Sequence, residues 1–411
     1  MTAFFDALET RDPEAREAAL MAALPGQLAH ARANAPAYAR LLAAVDPAAV
    51  TSRAALAALP VTRKSELIAM QAAEPPLGGL NATPVGHLSR LYMSPGPIYV
   101  PEGQGRDWWR FARALHAAGF RAGELMHNGF AYHLTPGGHM FADGAHALGC
   151  VVFPGGVGNT EQQVAAIAAL RPAGYGGTPS FLKIILEKAA ESGADVSSIR
   201  KALVSGEALP PSLRDWFDGR GVAVLQCYAS ADLGLIAYES PAREGLILDE
   251  GVLLEILRPG TGDPVPDGEV GEVVVTTFNR DYPLIRFATG DLSAVLPGAS
   301  PCGRTNRRIR GWMGRADQTT KVKGMFVHPH QVAEVLRRHA GVAKARLVVT
   351  GEAGEDRMTL RCEVAGAPEG LEGAIAQSLQ AVTKLRGAVE LVPPGSLPND
   401  GKVIEDARTY K

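Results

Sequence analysis

The run Tyr282-Pro-Leu-Ile-Arg-Phe-Ala-Thr-Gly-Asp291 ends in a single acidic side chain. Its apolar core, Leu284 to Phe287, reads as a strand, and Thr-Gly reads as a turn that presents Asp291. A carboxylate has only acceptor oxygens, so it pairs with two neighbouring hydroxyls, such as the cis-diol of a ribose. Dinucleotide sites use an acidic residue in the same way. Three more stretches have residue types suited to chemistry. Ser205-Gly-Glu-Ala-Leu-Pro210 follows a short strand, Tyr228-Ala-Ser-Ala-Asp232 follows the next one, and Pro398-Asn-Asp-Gly-Lys402 carries an ammonium in a glycine turn. Taken singly, each also reads as an ordinary solvated turn.

These stretches need a scaffold, and the periodicity describes one. Pro13 to Ala35 is Ala-rich with helical period and stops at Pro36; a second helical pattern covers Ala37 to Ala44. Thr62-Arg-Lys-Ser-Glu66 resembles a helix start, and Asp107 to Ala118 is again helical. Strand and helix then alternate. Cys150 to Phe153, Ala202 to Ser205 and Val222 to Cys227 read as strands, Thr160 to Leu170 and Ser180 to Ser192 as helices. Such alternation implies βαβ units and a parallel sheet. From about residue 248 the pattern changes: Leu248 to Leu257 and Glu269 to Thr277 alternate as antiparallel strands joined by Pro259-Gly-Thr-Gly262. Near Gly314 a third unit begins, with helices over Gln331 to His339 and Glu369 to Leu385. Its strands run over Ala345 to Thr350, Met358 to Val364 and Val389 to Val392. The expected architecture is a large α/β body over 1–314, with a small β subdomain at about 248–314. A small α+β domain over 315–411 completes it.

A chain of 411 residues, 46% hydrophobic and 20% charged, suits a globular enzyme of two or three domains. A net charge of −2 leaves no electrostatic footprint for nucleic acid or an anionic membrane. Cys150, Cys227, Cys302 and Cys362 are far apart, with no metal-ligand spacing. Widely spaced cysteines suit a reduced, cytoplasmic protein. The first twenty residues lack the basic start and apolar centre of a signal peptide, and no run reaches membrane-spanning length.

Together these phrases resemble the phenylacetate–CoA ligase family of the acyl-adenylate-forming superfamily, over nearly the whole chain. The resemblance implies an AMP-forming ligase that joins an aryl or short acyl acid to coenzyme A. It implies ATP/AMP, Mg²⁺ and coenzyme A as cofactors and a mobile C-terminal lid, with a homodimer expected by analogy. Asp291 then holds the ribose of ATP or AMP. The backbone of Ser205, Gly206, Glu207 and Ala208 cradles adenine, Tyr228 stacks on it beside Ala229 and Ser230, and Arg310 joins the nucleotide site. Asp232 stands where the family carries Glu beside Mg²⁺, so its carboxylate is one methylene shorter. Lys402 matches the lid lysine of adenylation, an ammonium that stabilises charge growing on phosphoryl oxygens. Asp317 and Gln318 match the hinge, and Lys323 and Gly324 match the coenzyme A tunnel. Phe130, Tyr132 and His133 match the acyl-pocket wall, and Gly177-Thr-Pro-Ser180 matches a pocket edge. Pro301-Cys-Gly-Arg-Thr305 has one cysteine where the family motif has two, so zinc is not expected.

One region departs from the family. A Ser/Thr/Gly-rich loop should offer N–H groups and hydroxyls to the β- and γ-phosphates. This chain has Tyr92-Met-Ser-Pro-Gly-Pro-Ile-Tyr-Val-Pro101 instead. Ser94 and Gly96 remain, but two threonines and a glycine are gone, and prolines remove N–H donors. A second reading therefore stands beside the ligase: a relative that binds AMP, acyl-adenylate or acyl-CoA without ATP-dependent activation.

Overall fold

Helices that return the chain across a sheet make consecutive strands parallel, and the middle of this chain is built that way. The computed structural model describes residues 3–94, 97–258, 261–316, 320–322, 325–327, 329–351, 356–366, 368–398 and 402–408. Val151–Pro154, Leu125–Asn128, Gly174–Gly177, Lys201–Val204 and Ala223–Ser230 lie parallel in that spatial order. Gly234–Glu239, Leu246–Leu248, Arg308–Ile309 and Val295–Leu296 extend the sheet antiparallel to nine strands. Helix Thr160–Leu170 falls where the periodicity puts it. Helix Pro179–Ser192 starts one residue earlier than expected, because Pro179 takes the first helical position and Thr178 accepts a bond from the Phe181 amide.

Gly174–Gly177 was not anticipated, since Gly-Tyr-Gly-Gly has the look of a turn. Its glycines are there for room: a Cβ on Gly176 would lie 2.7 Å from the Phe141 ring, and one on Gly177 2.0 Å from Tyr175 Oη.

The second sheet has the order Thr62–Arg63, Phe287–Ser293, Gly271–Thr277, Val252–Leu257. The expected antiparallel pair is present, from Val252 opposite Thr277 to Leu257 opposite Glu272. Three details differ from the sequence reading. Leu246–Leu248 joins the large sheet, so the expected run 248–257 is divided between two sheets. Both strands of the pair are buried throughout, not on one face. Thr62–Arg63 is a strand parallel to Phe287–Ala288, and the helix follows at Leu67–Ala73. Pro259 and Gly260 of the expected turn lie outside the described residues.

Two compact units are separable, Met1–Met313 and Gly314–Lys411. In the second, the sheet order is Ala388–Val392, Arg357–Val364, Val342–Thr350, Ile404–Asp406, with helices Pro329–Arg337 and Leu371–Thr383. Ile404–Asp406, unanticipated, pairs parallel with Val342–Thr350 at one edge. No described helix is long and apolar enough to cross a membrane.

Candidate functional site

Ligands of open α/β sheets bind outside the carboxyl ends of the strands, and there the sequence-marked residues converge. Ser205 follows Lys201–Val204; its amide donates to Gly177 O at 3.1 Å and its Oγ to Cys227 O at 2.9 Å. Gly206, at φ +80°, turns the chain, a conformation glycine adopts without strain. Exposed Glu207 accepts from the Ser180 amide at 3.3 Å. Ser205 to Pro210, Gln226 to Ala229, Leu246, Asp291 and Arg310 to Trp312 line a cavity of about 480 Å³. That is within the usual size range of small-molecule sites, roughly 300–1,000 Å³.

Asp291 does not sit on a turn after a strand, as its sequence suggested. It lies inside strand Phe287–Ser293. Glu272 opposes Leu292 and Val274 opposes Ala288, so Thr289, Gly290 and Asp291 together face Val273 alone. Gly290, at φ +77°, makes this bulge possible. Thr289 Oγ1 closes it, donating to Val273 O at 3.0 Å and accepting from the Asp291 amide at 3.1 Å. Bulges re-aim side chains, and this one sends Asp291 to the cavity. There Tyr228 Oη donates to Asp291 Oδ2 at 2.8 Å, and Trp312 Nε1 donates to Oδ1 at 3.1 Å. Tyr228 thus holds Asp291, a role its sequence did not reveal. Trp312 was missed altogether, because nothing in its local sequence marks it.

Arg286, in the same phrase as Asp291, has a structural role. It is buried at φ +43°, pairs with Glu255 at 3.0 Å through two nitrogens, and donates to Ala57 O, Leu59 O and Gly262 O. A buried guanidinium needs this full set of partners to offset its desolvation.

Ser230 and Asp232 do not line the cavity. Ser230 Oγ accepts from the Leu233 amide at 3.2 Å, closing the turn that follows the strand. The Asp232 side chain is fully buried, with Oδ2 2.6 Å from Lys64 Nζ. Its Oδ1 is buried without a hydrogen-bond partner. Mg²⁺ takes one or two carboxylates and completes its shell with water and phosphate oxygens, so Oδ1 fits as one ligand. Among the described residues there is no group of three or more His, Cys, Asp or Glu able to hold a metal by themselves.

Phe130 stands between the Ser205–Pro210 loop and helix Gly137–Leu148. Its ring centroid is 4.8 Å from that of Phe141, and a Cβ on Gly206 would lie 3.6 Å from it. Tyr132 Oη accepts from Asn128 Nδ2 at 2.7 Å, and burial pushes its phenol up to about 12. His133 is exposed, next to Leu134, whose φ is +63°.

Ser94 ends the first strand of hairpin Arg90–Ser94/Ile98–Glu102; it is buried and its Oγ has no partner, while Gly96 lies outside the described residues. At the hairpin base, Glu102 accepts from Arg90 Nη1 at 2.9 and 3.0 Å and from Tyr92 Oη at 2.5 Å. Asp143, on helix Gly137–Leu148, hydrogen-bonds Glu102; burial and that second carboxylate raise its acid to about 7.

Arg310 is exposed at the cavity, and its amide donates to Ala294 O at 2.9 Å. Arg304 is buried against Glu9, 3.1 Å away, and Cys302 Sγ lies 3.1 Å from Ser300 Oγ. In the second unit, Lys402 lies two residues before the edge strand Ile404–Asp406. The loop before it is tied at Pro398 O by Lys344 Nζ at 2.9 Å and Arg346 Nη2 at 3.1 Å. Asp317, Gln318, Lys323 and Gly324 lie outside the described residues.

Known proteins share this organisation. The AMP-binding enzyme family matches residues 132–279, and the AMP-binding enzyme C-terminal domain matches 324–407. A phenylacetate–coenzyme A ligase of Thermus thermophilus is 33% identical over 375 residues, 87% of this chain and 83% of that protein. The Escherichia coli phenylacetate–coenzyme A ligase is 30% identical over 347 residues, 80% and 78% of the two chains. A solved 2-hydroxyisobutyryl-CoA ligase, in complex with its acyl-AMP and CoA, superposes with a TM-score of 0.75 at 26% identity. That match covers 99% of this chain and 93% of the other.

Proposed function

The chain belongs to the phenylacetate–coenzyme A ligase family of AMP-binding enzymes, and from that premise we propose that it joins a carboxylic acid to coenzyme A through an acyl-adenylate. The observation that carries the reading is the bulged strand that delivers Asp291, held by Tyr228, into a cavity bounded by the Ser205–Pro210 loop. In this reading Asp291 accepts the ribose hydroxyls and the backbone of Gly206 to Ala208 borders the base. The acid's carboxylate attacks the α-phosphate of ATP and pyrophosphate leaves. Lys402 places its ammonium against the charge growing on the phosphoryl oxygens. Mg²⁺, when bound with Asp232 Oδ1 among its ligands, supplies further charge neutralisation there. The coenzyme A thiol then attacks the mixed anhydride, the thioester forms and AMP leaves.

The same proposal includes Asp317 and Gln318 as the pivot between half-reactions, Lys323 and Gly324 on the coenzyme A side, and Phe130 and Tyr132 against the acid. It extends to a homodimer in the cytoplasm. The motif matches support the residue assignments, and the homodimer follows by analogy with the family.

Two observations favour the second reading, in which the protein handles AMP or acyl-adenylate without activating an acid. Ser94 is followed by Pro95-Gly-Pro97, which has few N–H donors for a triphosphate, and Asp232 is already paired with Lys64. Calorimetry of Mg-ATP against AMP separates the two. Tight Mg-ATP binding, with pyrophosphate release on addition of a suitable acid, is the expected outcome. AMP binding with no Mg-ATP binding would establish the second reading and overturn ATP-dependent ligation.

A further inference from the structure

The proposed mechanism gives Trp312 no part. It is a large apolar residue 49% exposed at the edge of the cavity, one position before the last residue of the first unit. Its indole N–H donates to Asp291 Oδ1 at 3.1 Å, while Tyr228 Oη donates to the other oxygen at 2.8 Å. The backbone around it is held to the strand that carries Asp291. Arg310 N donates to Ala294 O at 2.9 Å, Ser293 Oγ to Gly311 O at 2.7 Å, and Met313 N to Leu292 O at 2.9 Å. Gly311, at φ +93°, lets the chain turn so that Trp312 faces the cavity.

A carboxylate on a free side chain rotates, and a diol must then pay the entropy of orienting it. Donors on both oxygens fix the plane of the group. We propose that Trp312 is a positioning residue for nucleotide recognition: its indole N–H holds the Asp291 carboxylate in the orientation that accepts the two ribose hydroxyls. This rests on the reading of Asp291 as the ribose acceptor. The proposal concerns the indole N–H alone, so its loss should act through the sugar. A tryptophan that merely closes the protein surface would affect every nucleotide alike.

The test compares AMP with 2′,3′-dideoxy-AMP, by calorimetry, on wild type and Trp312→Phe, with Tm recorded for both. Phenylalanine keeps an aromatic ring and removes the N–H. Wild type is expected to prefer AMP by roughly tenfold or more, the value of hydrogen bonds to a charged acceptor. Trp312→Phe should weaken AMP by roughly five- to tenfold and leave dideoxy-AMP within about twofold, at unchanged Tm. If both nucleotides weaken equally, or neither weakens, the assignment to Trp312 is overturned. If wild type itself does not distinguish the two nucleotides, the ribose role of Asp291 fails first, a result separable from failure of Trp312 alone.

Discussion

In the proposed site, the adenosine side and the phosphate side are built on opposite principles. On the adenosine side the acid is held by other parts of the fold. Asp291 stands on a bulge, is clasped by Tyr228 and Trp312, and faces a loop tied down through Ser205. On the phosphate side the sequence offers few N–H donors, and one carboxylate is already engaged. Ser94 is buried without a partner beside a proline-flanked glycine, and Asp232 is paired with Lys64. Recognition of a neutral sugar and base depends on fixed hydrogen-bond geometry, which a folded body supplies by itself. Binding a triphosphate depends on cationic charge and N–H donors, and in the proposed mechanism Lys402 and Mg²⁺ supply that charge.

The sharpest way to break this comparison is to remove that charge. Lys402→Ala should lower acyl-adenylate formation by about 10²–10³-fold, the usual scale for a lost transition-state charge stabiliser. Thioester formation from supplied acyl-adenylate should be spared. Pyrophosphate release and thioester yield, measured separately, check this; equal loss of both half-reactions would remove Lys402 from its assigned step.

Next in size is the ion pair beneath the phosphate side. Lys64→Met strands a fully buried carboxylate, and breaking one partner of such a pair costs on the order of 3–5 kcal/mol. Thermal unfolding should show Tm lowered by several degrees. The double variant Lys64→Met/Asp232→Leu should recover most of the loss, because it removes the stranded charge as well. A single variant as stable as wild type would show that Asp232 does not depend on Lys64.

The smallest effect concerns the hairpin base. Asp143 is raised to about 7 by burial and by Glu102, with Arg90 opposing and Asp107 adding to the shift. A carboxyl whose folded value lies above its unfolded one stabilises the fold at low pH and loses that contribution as pH rises through the folded value. Wild type should therefore lose stability between about pH 4 and 7 through this group. Asp143→Asn stays neutral and can still hydrogen-bond Glu102. Its Tm should match wild type near pH 4 and exceed it by a few degrees at pH 8. Parallel Tm profiles for the two proteins would mean the pair carries no proton-linked stability.

Local chemistry was legible in the sequence wherever it depended on residue type and spacing. The alternation of helix and strand, the Ser205–Ala208 turn, the acid at 291 and the change of pattern near 248 could all be read from the chain. Period and turn chemistry are properties of neighbours along the sequence, so they survive without the fold. Contacts between distant segments were not legible. Gly174–Gly177 looked like a turn until Phe141 and Tyr175 filled the space its absent side chains leave. Asp291 looked like a turn residue, because a bulge exists only against its partner strand. The exposure of His133 was not legible either. Lys64 and Asp232, or Trp312 and Asp291, share no local pattern that would pair them. The sequence alone determined the fold class, the family and the acid proposed to meet the nucleotide. Only the tertiary structure decided which donors hold that acid and which carboxylate is already neutralised, because buried polar groups are satisfied by whatever the packing brings near.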